Sequence, residues 1–209
     1  MQLSTQAVLR VIFPACLMLA NASLAVQFRQ TDDATAARQV ILQANQGDAV
    51  AQNRLGEMYA SGRNVRQDSV QAVAWFRRSA GHGNADGEYN LGVMYKTGQG
   101  VPRDNAQAVL WIRLAAAQRH ALALNNLGWM YAHGEGVPYQ RVAAYALYSI
   151  AAEMDAPGGA YAIKNRKALM RSMSKGEVAA GQRLALEMQV PGNLLGALDH
   201  YLATQSPLP

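Results

Sequence analysis

The sequence predicts an all-α chain, an α-solenoid of stacked helical hairpins. Nearly the same eleven residues occur three times: "LGEMYASGRNV" from Leu55, "LGVMYKTGQGV" from Leu91 and "LGWMYAHGEGV" from Leu127, each copy 36 residues after the last. A fixed period of this length marks units that cannot bury an apolar face alone and bury it by stacking. Within each unit the apolar residues recur at helical spacing, and glycine and proline separate one run from the next.

Each element has its own reason. Leu55, Leu91 and Leu127 stand four residues before Tyr59, Tyr95 and Tyr131, which places each pair on one face of a first helix. The glycine after each leucine costs about 1 kcal/mol in a helix relative to alanine. Its recurrence predicts a second helix passing too close for a Cβ. Gly62, Gly98 and Gly134 end the first helices as C-caps, and Pro102 and Pro138 prevent continuation. Asn64 stands where Gly100 and Gly136 stand, and asparagine tolerates positive φ best among the remaining residues.

Asp68 with Gln71, and Asp104 with Gln107, have the spacing of capping boxes that start the second helices. Ala72, Trp75, Phe76, Ser79 and Ala80 form an apolar stripe. It recurs as Ala108, Trp111, Ile112, Ala115 and Ala116, then as Ala144, Leu147, Tyr148, Ala151 and Ala152. Gln140 replaces the capping aspartate in the third copy. One period upstream, Asp32, Ala36, Val40 and Ala44 keep the register, so residues 26–46 carry a lone N-terminal capping helix. The repeats then fill 47–152, in frames 47–82, 83–118 and 119–154. From 155 to 209 the signature fails, with Ile163, Lys164 and Lys167 at the Leu, Gly and Tyr positions. A capping box at Ser174 and Glu177 and a last helix over Leu194–Leu202 read as degenerate C-terminal caps with a tail.

The chain has 209 residues, half of them hydrophobic and 16% charged, which is too apolar for disorder. Its formal charge of +5 is spread without a run of lysines or arginines, so it has no nucleic-acid footprint; the pI near 9.5 favours an acidic partner. Residues 1–25 read as a signal peptide. Arg10 precedes the apolar "VIFPACLMLA", and Ser23-Leu24-Ala25 offers a small-x-small cleavage site, with Ala20-Asn21-Ala22 as a second choice. No stretch reaches the ~20 apolar residues of a membrane-spanning helix. The only cysteine, Cys16, lies in the leader in a poor lipobox, broken by Pro14. A periplasmic or secreted chain cleaved near Ala25 therefore has no thiol and no disulfide.

The pattern LGxMYxxGxGVxxDxxxAxxWxxxAA resembles the Sel1-like repeat, a relative of the tetratricopeptide repeat with a longer glycine-bearing loop. That resemblance implies a stacked solenoid whose inner face binds a protein or peptide. By analogy with tetratricopeptide repeats, the groove positions are two before Leu, two after it and one after Tyr. They are Asn53, Glu57 and Ala60; Tyr89, Val93 and Lys96; and Asn125, Trp129 and Ala132. These vary between copies while Leu, Gly and Tyr do not. The implied role is an exported adaptor or regulator in the bacterial cell envelope. The resemblance also leaves room for an immunity protein that neutralises a periplasmic toxin, or for an enzyme acting on cell wall or β-lactams. Cysteine-rich members of the last kind carry a disulfide in each repeat, which this chain lacks.

Nothing in the sequence points to catalysis, a cofactor or a metal. His82, His120, His133 and His200 show no ligand spacing and read as surface residues. Ser61, Ser69 and Ser79 have no GxSxG context. The loops "GQGVPRD" and "GEGVPYQ" follow helices and lack the GK[ST] ending of a phosphate loop.

Overall fold

The computed structural model describes residues 34–154 and 156–205. The expected signal peptide, Cys16 and Asp32 lie outside them. Among the described residues there are ten helices and no strand. Helix α1 spans 34–45. It is followed by α2 (Ala49–Ser61), α3 (Ser69–Gly81), α4 (Ala85–Thr97), α5 (Asn105–Ala117), α6 (Ala121–His133) and α7 (Arg141–Ala152). The chain then forms α8 (Pro157–Met170), α9 (Lys175–Gln189) and α10 (Leu194–Gln205). Helices α2–α3, α4–α5 and α6–α7 are the three hairpins. Each hairpin packs on the next, so α2, α4 and α6 form one layer and α3, α5 and α7 the other.

The loops show why the hairpin closes. Gly62, Gly98 and Gly134 take φ of 75°, 72° and 69°, and each donates its N–H back to Met58, Met94 or Met130. Asp68 and Asp104 then cap the second helices, each accepting two backbone N–H groups at 2.9–3.0 Å. The reciprocal half of the expected boxes does not form at Gln71 or Gln107. The reason is local: the backbone N–H of Asp68 donates to the Tyr59 carbonyl, and that of Asp104 to the Tyr95 carbonyl, both at 2.9 Å. No donor is left for the glutamine. At Ser174 that N–H is free, so Glu177 takes it at 2.8 Å and the box closes fully.

Leu55, Leu91 and Leu127 are at most 1% exposed. Next to them the close approach expected of the recurrent glycine is present: a Cβ on Gly92 would stand 2.7 Å from Ile112 Cγ1 and 3.2 Å from the Ala108 carbonyl. Loop glycines also tie one unit to the next. Gly100, at φ 70°, lies against the Ser69–Val70 backbone of the preceding hairpin, and Gly136, at 71°, against Asn105. Asn64 takes the same conformation at 61°. Arg119, at 60°, stands where Gly83 stands one unit earlier.

The ends depart from the register reading. In α1 the inward stripe is Ala37, Val40, Ile41 and Ala44, which pack with Ala51, Leu55, Met58 and Trp75. Ala36 is exposed. Helix α8 continues the first-helix layer against α6 and α7. Helix α9 does not fold back on α8 as a second helix would. It runs along α7, with Gly181 seated on the Tyr145 ring, and α10 packs on α9 and reaches α5. Arg113 clasps Asp199 there through one guanidinium nitrogen at 2.6 and 2.8 Å. Residues 142–151 of α7 are consequently buried on every side. That burial also explains how α7 starts at Gln140 without a side-chain cap.

Candidate functional site

The exposed side of the first-helix layer carries a network of side-chain hydrogen bonds that steps from unit to unit. In the first step, Asn53 Nδ2 donates to Glu57 Oε1 at 2.9 Å, and Asn90 Nδ2 donates to Asn53 Oδ1 at 2.9 Å. Glu57 is a pure acceptor when ionised, so it orients both amides. In the second, Asn126 Nδ2 donates to the Tyr89 hydroxyl at 3.0 Å. In the third, Asn165 Nδ2 of α8 donates to Asn125 Oδ1 at 2.9 Å. Each helix thus reaches back to the one before it.

This arrangement divides the expected groove residues into two kinds. Asn53 and Asn125 are only 5% and 8% exposed, because the next helix lies over them. They brace the layer from beneath and offer a ligand little surface. Glu57 is exposed, and Tyr89, Val93, Lys96 and Trp129 are half-buried, as are Ala60 and Ala132. Asn90, Asn126 and Asn165 belong to the network although the groove scheme passed over them. For Asn90 and Asn126 the signal was in the sequence, since "YNLG" and "NNLG" place asparagine directly before leucine in two successive copies, whereas Asn165 stands at the Trp129 position of the degenerate unit.

Beside the network lies an aromatic and cationic cluster. Lys96 Nζ of α4 sits 3.8 Å from the Trp129 ring centroid, and the His133 ring stacks on Trp129 at 4.2 Å. Burial lowers the Lys96 pKa, while Glu135 acts to raise it and Arg103 to lower it further. Glu135 Oε2 is buried without a hydrogen-bond partner, and Arg103 approaches the other oxygen at 4.0 Å. Burial likewise raises the Tyr89 pKa, with the Asn126 bond opposing and Tyr161 reinforcing.

His120 is not the surface residue that its sequence context suggests. Its side chain is 16% exposed and caps α6, with Nδ1 accepting the Ala123 N–H at 3.1 Å. Asp48 and Asn84 cap α2 and α4 at the same register. With Nδ1 an acceptor, Nε2 carries the proton and donates to Asp86 Oδ1 at 3.1 Å, while the ring stacks on Tyr89 at 4.8 Å. Burial lowers the His120 pKa, and Asp86 offsets part of that. A pKa lower in the fold than in the unfolded chain means the unfolded chain binds protons first as pH falls. The stabilisation is therefore complete above the ordinary histidine value of about 6.5 and disappears as pH drops through the folded value. His120→Asn keeps a cap of the Asn84 kind without a titrating ring. Thermal melts across pH 5–8 should show the parent losing up to about 1 kcal/mol relative to the variant on the acid side, the worth of one cap. Parallel curves would place the titration elsewhere.

Clefts occur beside this face and away from the aromatic cluster. One of about 510 Å³ sits between α1 and α2, lined by Val40, Arg54, Glu57 and Arg63 among others. It includes Glu57 but none of the aromatic cluster. No group of three or more His, Cys, Asp or Glu residues suited to a metal occurs among the described residues.

No curated protein matches the chain. Among solved structures it resembles a protective antigen of uropathogenic Escherichia coli strains that displays an SLR fold, at 27% identity and a TM-score of 0.69. That match covers 83% of this chain but only 36% of the antigen, so this chain spans about a third of that protein. It also resembles a Sel1 repeat protein from Oxalobacter formigenes at 30% identity and a TM-score of 0.55, over 63% of this chain and 96% of that one. The Sel1 repeat model matches residues 49–84, 85–120 and 121–155, each starting two residues later than the frame read from the sequence. Its borders fall where helices α2, α4 and α6 begin. By the repeat, its structural unit and its solved neighbours, the chain belongs to the Sel1 repeat family.

Proposed function

We propose that this chain is an exported, non-catalytic binding protein of the bacterial cell envelope, an adaptor or regulator that holds a segment of another protein along its first-helix face. Sel1 repeats are protein-interaction scaffolds. The observation that carries the placement is the Lys96–Trp129–His133 cluster. Trp129 stands where the other copies have Glu57 and Val93, whereas the core tryptophans Trp75 and Trp111 recur in register. A half-buried tryptophan that packing does not repeat is the residue type most enriched among interface hot spots. The signal-peptide reading of residues 1–25 supports export.

The test begins with capture from an envelope fraction by the mature chain, followed by affinity measurement on the captured protein. Trp129→Ala should weaken that complex by about 2 kcal/mol, roughly thirtyfold, with little change in melting temperature. A large loss of stability with unchanged affinity would make Trp129 a packing residue and remove the face's best anchor.

A further inference from the structure

The second surface of interest is on α8, on the opposite side of that helix from Asn165. Ile163 is the counterpart of Leu127, 36 residues on, yet it is 51% exposed where Leu127 is 0%. Lys164 and Lys167 stand at the positions of Gly128 and Tyr131. In α6 this face is covered by α7: Leu127 and Tyr131 pack in one core with Leu147 and Tyr148, and a Cβ on Gly128 would touch the Tyr148 ring and the Ala144 carbonyl. In α8 the same face has no helix over it among the described residues, because α9 packs on α7 instead. At 100° per residue Ile163, Lys164, Lys167, Met170 and Arg171 fall within one third of the helix circumference. All five are exposed.

Folding thus gathers on one face charges that the sequence spreads out. Helix α8 contains no acidic residue, and among the described residues the side chains of Lys164, Lys167 and Arg171 make no ion pair or hydrogen bond. We propose that this face docks an acidic amphipathic helix of a partner protein, in the place that a second helix takes in the other three hairpins. The occupant is helical because a helix is what this face accepts in every other copy. It is acidic because three cations without a side-chain partner among the described residues lie beside the apolar pair Ile163 and Met170. A lysine in the glycine position holds the incoming helix further off than Gly128 holds α7, at a separation that long Glu–Lys pairs can span. A second copy docked through the same face would set cation against cation, which a symmetric contact cannot relieve.

The test uses two synthetic helical peptides sharing leucines at i, i+3, i+4 and i+7, one flanked by glutamates and one by lysines. Fluorescence anisotropy at moderate salt should show the acidic peptide binding the parent. Lys164→Glu/Lys167→Glu should lose at least tenfold in that affinity and gain the lysine peptide. Ile163→Ser should weaken the acidic peptide without changing the preference. Equal binding to parent and charge-reversed chain would overturn the proposal. So would binding to phosphatidylglycerol vesicles in preference to the peptide, or a parent that dimerises through this face in sedimentation. Since Trp129 lies outside this face, Trp129→Ala should leave peptide binding unchanged, which separates failure here from failure of the groove.

Discussion

Gly158→Ala is expected to lower the melting temperature by about 10 °C, although it adds a single methyl group. Gly158 opens α8 directly against the start of α6, and a Cβ there would fall within the Ala121–Leu122 peptide group. The obstacle is backbone, so no side-chain rotation relieves it and α8 must retreat. Overpacking of this kind costs about 3 kcal/mol, and each kcal/mol moves the midpoint of a chain this size by about 2–4 °C. Retreat also pulls Asn165 away from Asn125 and opens the end of the polar network. Differential scanning calorimetry should be run beside Gly81→Ala, whose Cβ would meet nothing within 4 Å. That control should be neutral or slightly stabilising. If both variants melt with the parent, α8 does not approach α6 as described.

Gly92→Val should produce a loss of similar size by a different route. Valine is the better helix former by a few tenths of a kcal/mol, so propensity alone would predict a small gain. Against it stand Ile112 Cγ1 at 2.7 Å and two backbone atoms of α5 at 3.2 Å. The Ile112 side chain can shift; the backbone cannot, and a β-branched side chain has little rotameric escape inside a helix. The clash wins, with a net loss of about 3 kcal/mol in chemical denaturation. A stabilised variant would mean that α4 and α5 part easily and that helix propensity decides at this position.

The sequence made the hairpins legible because packing within each unit is local and repeats. Such residues recur where each meets the same position of its partner helix in each copy, as Gly56, Gly92 and Gly128 do with Phe76, Ile112 and Tyr148. Capping was half legible. The Asp–x–x–Gln spacing marks the helix starts, but no spacing reveals that the Asp68 and Asp104 N–H groups already serve the Tyr59 and Tyr95 carbonyls. The face was legible by position and not by role, since Asn53 and Asn125 turn out to be braces beneath it. The path of α9 was not legible at all. It depends on Gly181 meeting Tyr145 and on Arg113 meeting Asp199, pairs that occur once and leave no period.

The burial of α7 has a consequence for how the molecule comes apart. An ideal solenoid unzips from either end, because each unit is held only by its neighbours. Here α9 and α10 fold back over the last hairpin and join α5, so one buried cluster runs continuously from Ala108 to Leu198. Two smaller clusters hold the N-terminal half. The C-terminal half is expected to open as one cooperative foldon, and the N-terminal hairpin to open before it. Fraying should then have a direction, from α1 towards α5, and hydrogen exchange should find the amides of Asn53 and Glu57 less protected than those around Trp129. A partner that spans both would order the first end as it binds, starting from the end that is already ordered.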